Sequence, residues 1–271
     1  MTLLSVLISL LLDHLLHVHR ESRVACAVRC YAAQASRALP ASWTGVGAVL
    51  AVVAPPAIVV ALVQWALAYW FVGIVYVAVA VVVLLFSLGP LDVADLSEDY
   101  IDAARADDPE RADWYYAQLT GERAPADSGE EGRHLARAVL YLAHDHLFAT
   151  LFWFCVLGPA GAVLYRLSAQ LAFAPAEGTG EAYQRSARFV CGALGWIPAR
   201  LIAFGYALTG RFDQALSAAR GRGFVNGDLV AGNRGLLGDT GTAALRAGEP
   251  AQAGSDGERT AAIAVRDAFR A

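Results

Sequence analysis

Two arginines stand where an arginine is costly. Arg166 closes the run Gly158-Pro159-Ala160-Gly161-Ala162-Val163-Leu164-Tyr165-Arg166, and Arg200 lies in Trp196-Ile197-Pro198-Ala199-Arg200-Leu201. Both runs fall inside an apolar stretch from 147 to 208. A charge at bilayer depth costs roughly 2.5–3.5 kcal/mol on insertion scales, so it needs a partner, a polar cavity or a task. Pro198 beside Arg200 frees backbone carbonyls, which a membrane tolerates only where protein or water covers them. Tyr165, Arg166, Trp196, Pro198 and Arg200 are therefore the candidate ligand-binding residues, chemically suited to an anionic or amphiphilic molecule. Arg200 is the most informative of them. Its alternative role is a structural ion pair with Asp13 or Asp145. Arg166 lies nearer the end of its segment, where a long side chain snorkels to the interface.

A second polar set comprises Asp13, His14 and His17 near the start of the chain and His144-Asp145-His146 at the entrance to the later apolar stretch. Imidazole and carboxylate suit Zn²⁺ or a similar ion, which makes these residues a candidate metal site. His14 and His17, three apart, share a helix face, whereas His144 and His146 cannot on one regular helix. The alternative is a set of interfacial polar residues bonded to headgroups or neighbouring helices. Cys26, Cys30, Cys155 and Cys191 show no CxxC spacing and read as structural or incidental. All 21 basic residues are arginine. A Schiff-base lysine and a Walker-type lysine are thereby excluded. There is no nucleophile-elbow sequence, and no cofactor is implied. Net charge is −4 without a basic tract, which argues against nucleic acid as a partner.

The elements that must position these residues are membrane helices. The chain is 57% hydrophobic and 17% charged, with a mean hydropathy of +0.45. A soluble domain averages about 45–50% apolar and about 25% charged. Residues 2 to 12 are apolar but lack the basic start and small-residue cleavage site of a signal peptide, and read as a retained, partly inserted helix. Residues 44 to 63 and 67 to 88 each suffice to span, with Gln64-Trp65-Ala66 as a tight turn and Pro55-Pro56 kinking the first. Trp65, Tyr69 and Trp70 fit an interfacial belt at that turn. A third span is expected over 147–172, its Gly158, Ala160, Gly161 and Ala162 forming a small-residue face. A fourth, interrupted by Pro198, is expected over 189–209. The loop 19–43 carries Arg20, Arg23, Arg29 and Arg37 against Glu21, which places it, residues 89–143 and the tail after 210 in the cytoplasm, with 173–188 external.

Residues 89 to 143 hold 13 acids against 5 arginines, a local charge of −8. The acids alternate with Tyr100, Ile101, Trp114, Tyr115, Tyr116 and Leu119, so this is no disordered acidic tract. Asp108-Pro109-Glu110 reads as an N-cap followed by proline at the first helical position, and Ser128 with Glu131 as a capping box. Two or three short helices are expected. They form either a docking surface for a protein partner or cation, or a solvated layer whose aromatics pack on the membrane domain. From 220 onward the chain is rich in Gly and Ala. Arg220–Gly223 and Gly232-Asn233-Arg234-Gly235 read as loop, with short helices near 240–247 and 257–270. The resulting division is 1–88 (N-terminal helix and hairpin), 89–143 (acidic layer), 144–216 (membrane segments with both arginine motifs) and 217–271 (tail). The fold class is all-α: a polytopic helical membrane protein with about four membrane segments besides the N-terminal helix.

With these segments placed, the chain resembles the AmpE family of bacterial inner-membrane proteins, regulatory signalling modulators linked to β-lactamase induction. The resemblance covers roughly residues 1 to 216. It rests on Met1-Thr2-Leu3-Leu4 opening an apolar helix, the acidic loop, Leu151-Phe152-Trp153, the Tyr165-Arg166 run, Gly195-Trp196-Ile197-Pro198-Ala199-Arg200-Leu201, and Tyr206-Ala207-Leu208-Thr209-Gly210 with Ala215-Leu216. That family usually carries a further membrane segment, and no apolar run of spanning length follows residue 220, so the membrane domain is expected to be incomplete. AmpE proteins are similar in turn to the cobinamide-phosphate synthases of cobalamin biosynthesis, membrane enzymes that join an amino-alcohol to cobyric acid. Those share Tyr165-Arg166 and Ile197-Pro198-Ala199-Arg200-Leu201 with this chain, but not their polar signatures. Their Asn-Thr-Leu-Asp appears here as Ala169-Gln170-Leu171-Ala172, their paired aspartates as Cys191-Gly192, a following asparagine as Gly195, and their Glu-Asn falls near His144-Asp145.

Amide formation with ATP needs carboxylates to hold Mg²⁺ and neutralise phosphate charge. The resemblance thus implies a non-catalytic accessory that meets lipid, an anionic or amphiphilic envelope ligand near Arg200, and a cytoplasmic protein through 89–143. The competing expectation is an enzyme of the synthase type with relocated acids such as Asp92, Asp95 and Asp145. Clustering of those acids near Arg200 favours the enzyme, and their dispersal on a solvated face favours the accessory. No inverted repeat relates the two halves, which argues against a transporter.

Overall fold

The computed structural model describes residues 30, 31, 33–35, 43, 45–70, 74–88, 93–125, 128–174, 179–209 and 228–247. Asp13, His14, His17, Cys26 and Asp92 lie outside them, as do the N-terminal apolar segment and the expected helix at 257–270. Among the described residues every regular element is helical: α1 (Val46–Trp70), α2 (Ile74–Leu88), α3 (Val93–Arg105), α4 (Pro109–Thr120), α5 (Ser128–Ala143), a π-helical turn (His144–Phe148), α6 (Ala149–Leu157), α7 (Pro159–Phe173), α8 (Glu181–Thr209) and α9 (Leu229–Ala247). Among these residues three stretches are long and apolar enough to cross a membrane: Val46–Leu67, Glu131–Leu157 and Glu181–Tyr206. Val75–Leu85 is a shorter apolar helix. The protein is an all-α membrane protein.

Several expected boundaries move. Gln64-Trp65-Ala66 is no turn but the penultimate turn of α1, because Gln and Ala extend a helix readily and neither Gly nor Pro interrupts them. The expected span 147–172 is divided at Gly158 into α6 and α7, and the crossing helix begins earlier, near Glu131. Gly158 adopts φ 72° and ψ −158°, backbone that favours glycine, and Pro159 starts the next helix with its φ preset. Residues 181–188, expected in an external loop, are the first two turns of α8. Gly232–Gly235, expected as loop, lies within α9.

The chain divides into two compact units. The first comprises Met1–Pro90, Asp145–Pro198 and Asp228–Val230. Its core joins Val49, Val52 and Val53 of α1 to Leu167 and Leu171 of α7 and to Tyr183, Ala187 and Val190 of α8. A second cluster sets Ala80 and Leu84 of α2 against Phe154 of α6 and Ala162 of α7. Leu50, Ile58, Val59 and Leu62 remain exposed on α1. A helix apolar on all sides is what a membrane span requires.

The second unit comprises Leu91–His144, Ala199–Gly227 and Ala231–Ala271. The three short helices of the acidic region are α3, α4 and the start of α5. Asp108 caps α4, its Oδ1 accepting from the Arg111 N–H at 3.2 Å. Gly121 ends it in the left-handed conformation, its N–H donating to the Ala117 carbonyl at 2.9 Å. Tyr116, Leu119, Leu135 and Val139 form the core of this layer, with Leu96 and Tyr100 packed on it. Asp95, Asp99, Asp102, Asp107, Glu110, Asp113 and Glu122 face out. The aromatics divide: Tyr100 and Tyr116 pack within the layer's own core, while Trp114 is 56% exposed.

Candidate functional site

The polar residues of the first unit gather on a helical hairpin. Gly158 turns the chain between α6 and α7, its N–H donating to Phe154 O at 2.8 Å. A Cβ on Gly158 would stand 2.5 Å from Gln64 Nε2, and one on Gly161 would stand 2.1 Å from the Trp153 carbonyl oxygen. At Gly161, where the neighbour is backbone, the helices approach as only glycine permits.

The reversal brings residues twenty apart face to face. Tyr165 donates its hydroxyl to Asp145 Oδ1 at 3.0 Å, fully buried. The next residue, Arg166, contacts His146 Nδ1 through Nη1 at 3.2 Å. Arginine only donates, so the imidazole accepts on Nδ1 and carries its proton on Nε2. Asp145 and His146 sit in the π-helical turn. Wider i→i+5 bonding reduces the angular step between successive side chains, and such turns recur at functional sites. Here it lets two consecutive residues of one helix meet two consecutive residues of its partner. Thr150, one turn further, is completely buried, and its hydroxyl has no partner among the described residues.

Arg166 therefore is not a snorkelling side chain; it turns inward onto His146. Trp153 Nε1 donates to the Leu194 carbonyl at 3.0 Å, tying α6 to α8. Cys191 is buried with Ala149, Tyr165, Ala169 and Ala172. At Gly192 a Cβ would lie 2.7 Å from Leu229 Cβ. Trp196 is half-buried and Pro198 fully buried within α8.

Arg200 belongs to the second unit. Its Nη1 donates to Asn233 Oδ1 of α9 at 3.3 Å. Arg234 donates to the Tyr141 hydroxyl at 2.6 Å and lies 3.9 Å above that ring. Arg137 pairs with Asp239 at 2.8 Å. Asn233 and Tyr141 escaped the sequence reading because glycines at 232 and 235 masked a helix. The regular appearance of glycine at 232, 235, 238 and 241 was the available signal.

The metal-ligand set does not assemble within the described residues. No three His, Cys, Asp or Glu side chains there lie close enough to hold an ion. His144 is buried in the second unit, and Asp145 is engaged by Tyr165 in the first. Among the acids proposed to relocate, Asp95 is exposed on α3. In the acidic layer Tyr100 donates to Glu131 Oε1 at 2.5 Å. Burial, then the bond and charge of Glu131, raise the Tyr100 phenol above the ordinary tyrosine range. Burial raises Tyr116 as well, with Glu131 and Glu122 adding to it.

A family model described as regulatory signalling modulator protein AmpE matches residues 1–221. The chain belongs to the AmpE family. Within AmpE-type sequence the Tyr165-Arg166 and Ile197–Leu201 runs thus have a geometry: the first closes the buried hairpin, the second meets α9. A cobalamin biosynthesis protein CobD from Stutzerimonas stutzeri is 41% identical over 95 residues, 34% of this chain and 31% of the relative. Another, from Chromobacterium violaceum, is 33% identical over 163 residues, 55% of this chain and 48% of the relative. The chain thus spans half or less of the length of these curated relatives. No solved structure matches.

Proposed function

We propose that this AmpE-family protein is a non-catalytic, multi-pass accessory of the bacterial inner membrane that modulates signalling. It holds an anionic or amphiphilic envelope ligand through Arg200 and passes its state to a cytoplasmic protein through residues 89–143. The family's link to β-lactamase regulation makes the response to cell-wall antibiotics the context for that signal. Tyr165 and Arg166 keep the hairpin in register, and Trp196 and Pro198 shape the helix that carries Arg200.

The observation that carries the non-catalytic reading is the packing at Cys191 and Gly192. These stand where the related synthases carry paired aspartates. Here the cysteine fills an apolar cluster, and a side chain of α9 closes on the glycine. Acids on α3 and α4 face solvent, as a docking layer requires. The second reading, a synthase-type membrane enzyme with altered residues, is favoured by the identity to the cobalamin biosynthesis proteins.

The deciding experiment compares what co-purifies with the mildly solubilised wild type and with Arg200→Ala, read by mass spectrometry. A specific anionic ligand lost in the variant supports the ligand-holding role. ATP-dependent amide formation by the purified wild type would overturn the non-catalytic reading.

A further inference from the structure

Pro55 and Pro56 lie inside α1, and a proline has no N–H to return to the carbonyl four residues before it. For Pro56 that carbonyl belongs to Val52, and the Tyr31 hydroxyl donates to it at 2.9 Å. We infer that Tyr31 is a releasable latch on the first span. It fastens the segment leading into α1 to the stripped Val52 carbonyl, and Tyr183 takes that carbonyl over when Tyr31 leaves. The inference does not depend on a ligand at Arg200.

Val52 is 2% exposed. A backbone carbonyl at such depth is costly without a donor, and membrane helices tolerate proline because neighbouring groups re-satisfy what it frees. Tyr31 supplies that donor from outside the helix. Tyr31 and Ala35 are only partly buried where they pack on the cluster of Val49, Val52, Val53 and Tyr183. Partly buried contacts of this kind stand at the low end of the local stability scale, where opening is frequent.

Tyr183 supplies the second position. It is 6% exposed within the same cluster, yet its hydroxyl has no hydrogen-bond partner among the described residues. A buried phenol normally finds one, so this one has a bond to gain. The phenols of Tyr183 and Tyr31 lie within electrostatic reach of one another. One acceptor thus has two donors beside it, and the more deeply buried donor is left over. Release of Tyr31 gives Tyr183 its bond at the moment Val52 loses one, so the stripped carbonyl is satisfied in both states. The arginines of residues 19–43 assign that segment to the cytoplasm, so the latch carries a cytoplasmic event to the proline pair of the first span.

The test uses the full chain in mild detergent, with Cys26, Cys30 and Cys155 changed to alanine and Ala35→Cys added. Maleimide labelling at position 35, located by mass spectrometry, reports release of the segment. Labelling of Cys191, which is buried, reports global opening. Tyr31→Phe is expected to raise labelling at position 35 about tenfold with Cys191 unchanged, the scale of one buried hydrogen bond. Tyr183→Phe is expected to lower it about threefold or more, because the released state then leaves Val52 without a donor. Pro56→Ala returns an N–H to Val52, so in that background the effect of Tyr31→Phe should vanish. An equal rise in both backgrounds overturns the latch, since the hydroxyl then acts on something other than the stripped carbonyl. Labelling unchanged by Tyr31→Phe, or a matching rise at Cys191, overturns it as well. Labelling unchanged or raised by Tyr183→Phe overturns the exchange and reduces Tyr31 to a fixed structural contact.

Discussion

Tyr165 and Asp145 meet at 3.0 Å across a hairpin whose turn is a single glycine and proline. The contact depends on two departures from regular helix: left-handed backbone at Gly158 and the π-helical turn that carries Asp145. A carboxylate at this depth is costly unless its oxygens accept hydrogen bonds. The phenol supplies one from the neighbouring helix. The same register sets Arg166 against His146, so two consecutive residues of α7 both engage the π-helical turn.

Tyr165→Phe keeps the ring and removes the donor. Leaving a buried acceptor short of a partner costs about 1–3 kcal/mol. For a chain of this size each kcal/mol lowers Tm by roughly 2–4 °C. Thermal unfolding of the solubilised protein measures the loss, and a cycle with Asp145→Ala, which removes the acceptor, isolates the pair. Additive single effects would show that the bond contributes nothing.

Glycine replacements separate the turn from the helix interiors. Gly158→Ala forces φ 72° on a residue with a Cβ and drives that atom towards Gln64. Backbone strain of this kind costs about 1–3 kcal/mol. Gly161→Ala meets a backbone carbonyl that cannot swing aside, and overpacking costs a similar 1–3 kcal/mol or so. Gly205→Ala meets nothing within 4 Å and sits inside α8, so it gains up to about 1 kcal/mol in helix propensity. The opposite signs are read from Tm of the three variants, and a destabilised Gly205→Ala would contradict the packing described.

The helical class and the apolar segments were legible because uninterrupted hydrophobic runs leave few alternatives. Asp108-Pro109 announced α4 because a side-chain acceptor and a preset φ act locally. Arg166 and Arg200 stood out because charge is scarce in such runs. What faces them did not, since partners twenty or thirty-three residues away follow from tertiary register. The π-helical turn has no propensity signature, so the meeting of His146 with Arg166 could not be read from His144-Asp145-His146. Gly232 and Gly235 concealed α9 because docking overrides intrinsic preference. Acidic side chains on α3 and α4 were rightly a surface, but the burial of Tyr100 and Tyr116 within that same layer depends on how three helices close together.

Alkaline pH should loosen the acidic layer through Tyr100. Its phenol is raised by burial and by Glu131, so the folded state holds the proton where the unfolded chain releases it. The stabilisation is complete below the ordinary tyrosine value of about 10 and declines as pH rises above it towards the raised folded value. Unfolding followed from pH 9 upward should show stability falling with pH, with a shallower slope in Tyr100→Phe. Tyr116, also raised, keeps the variant's slope from vanishing. Equal slopes in both proteins would remove Tyr100 from the effect.

Leu237→Ala should release α9 while leaving the rest of the fold in place. Leu237 is completely buried among Ala199, Ile202 and the partly buried Tyr206, and truncating such a leucine costs about 2–5 kcal/mol. A helix with four interior glycines, each about 1 kcal/mol poorer than alanine, has little of its own to set against that loss. The Arg137–Asp239 pair is half exposed on the arginine side and offers little compensation. Local opening is therefore expected before global unfolding. Limited proteolysis should cut within 229–247 much faster in the variant, with the apolar helices remaining protected. Gly232→Ala, at a position with nothing within 4 Å, should partly restore resistance by favouring the helix without altering its contacts. Unchanged cleavage in Leu237→Ala would mean that the polar contacts alone hold α9, and rescue by Gly232→Ala would then have nothing to act on.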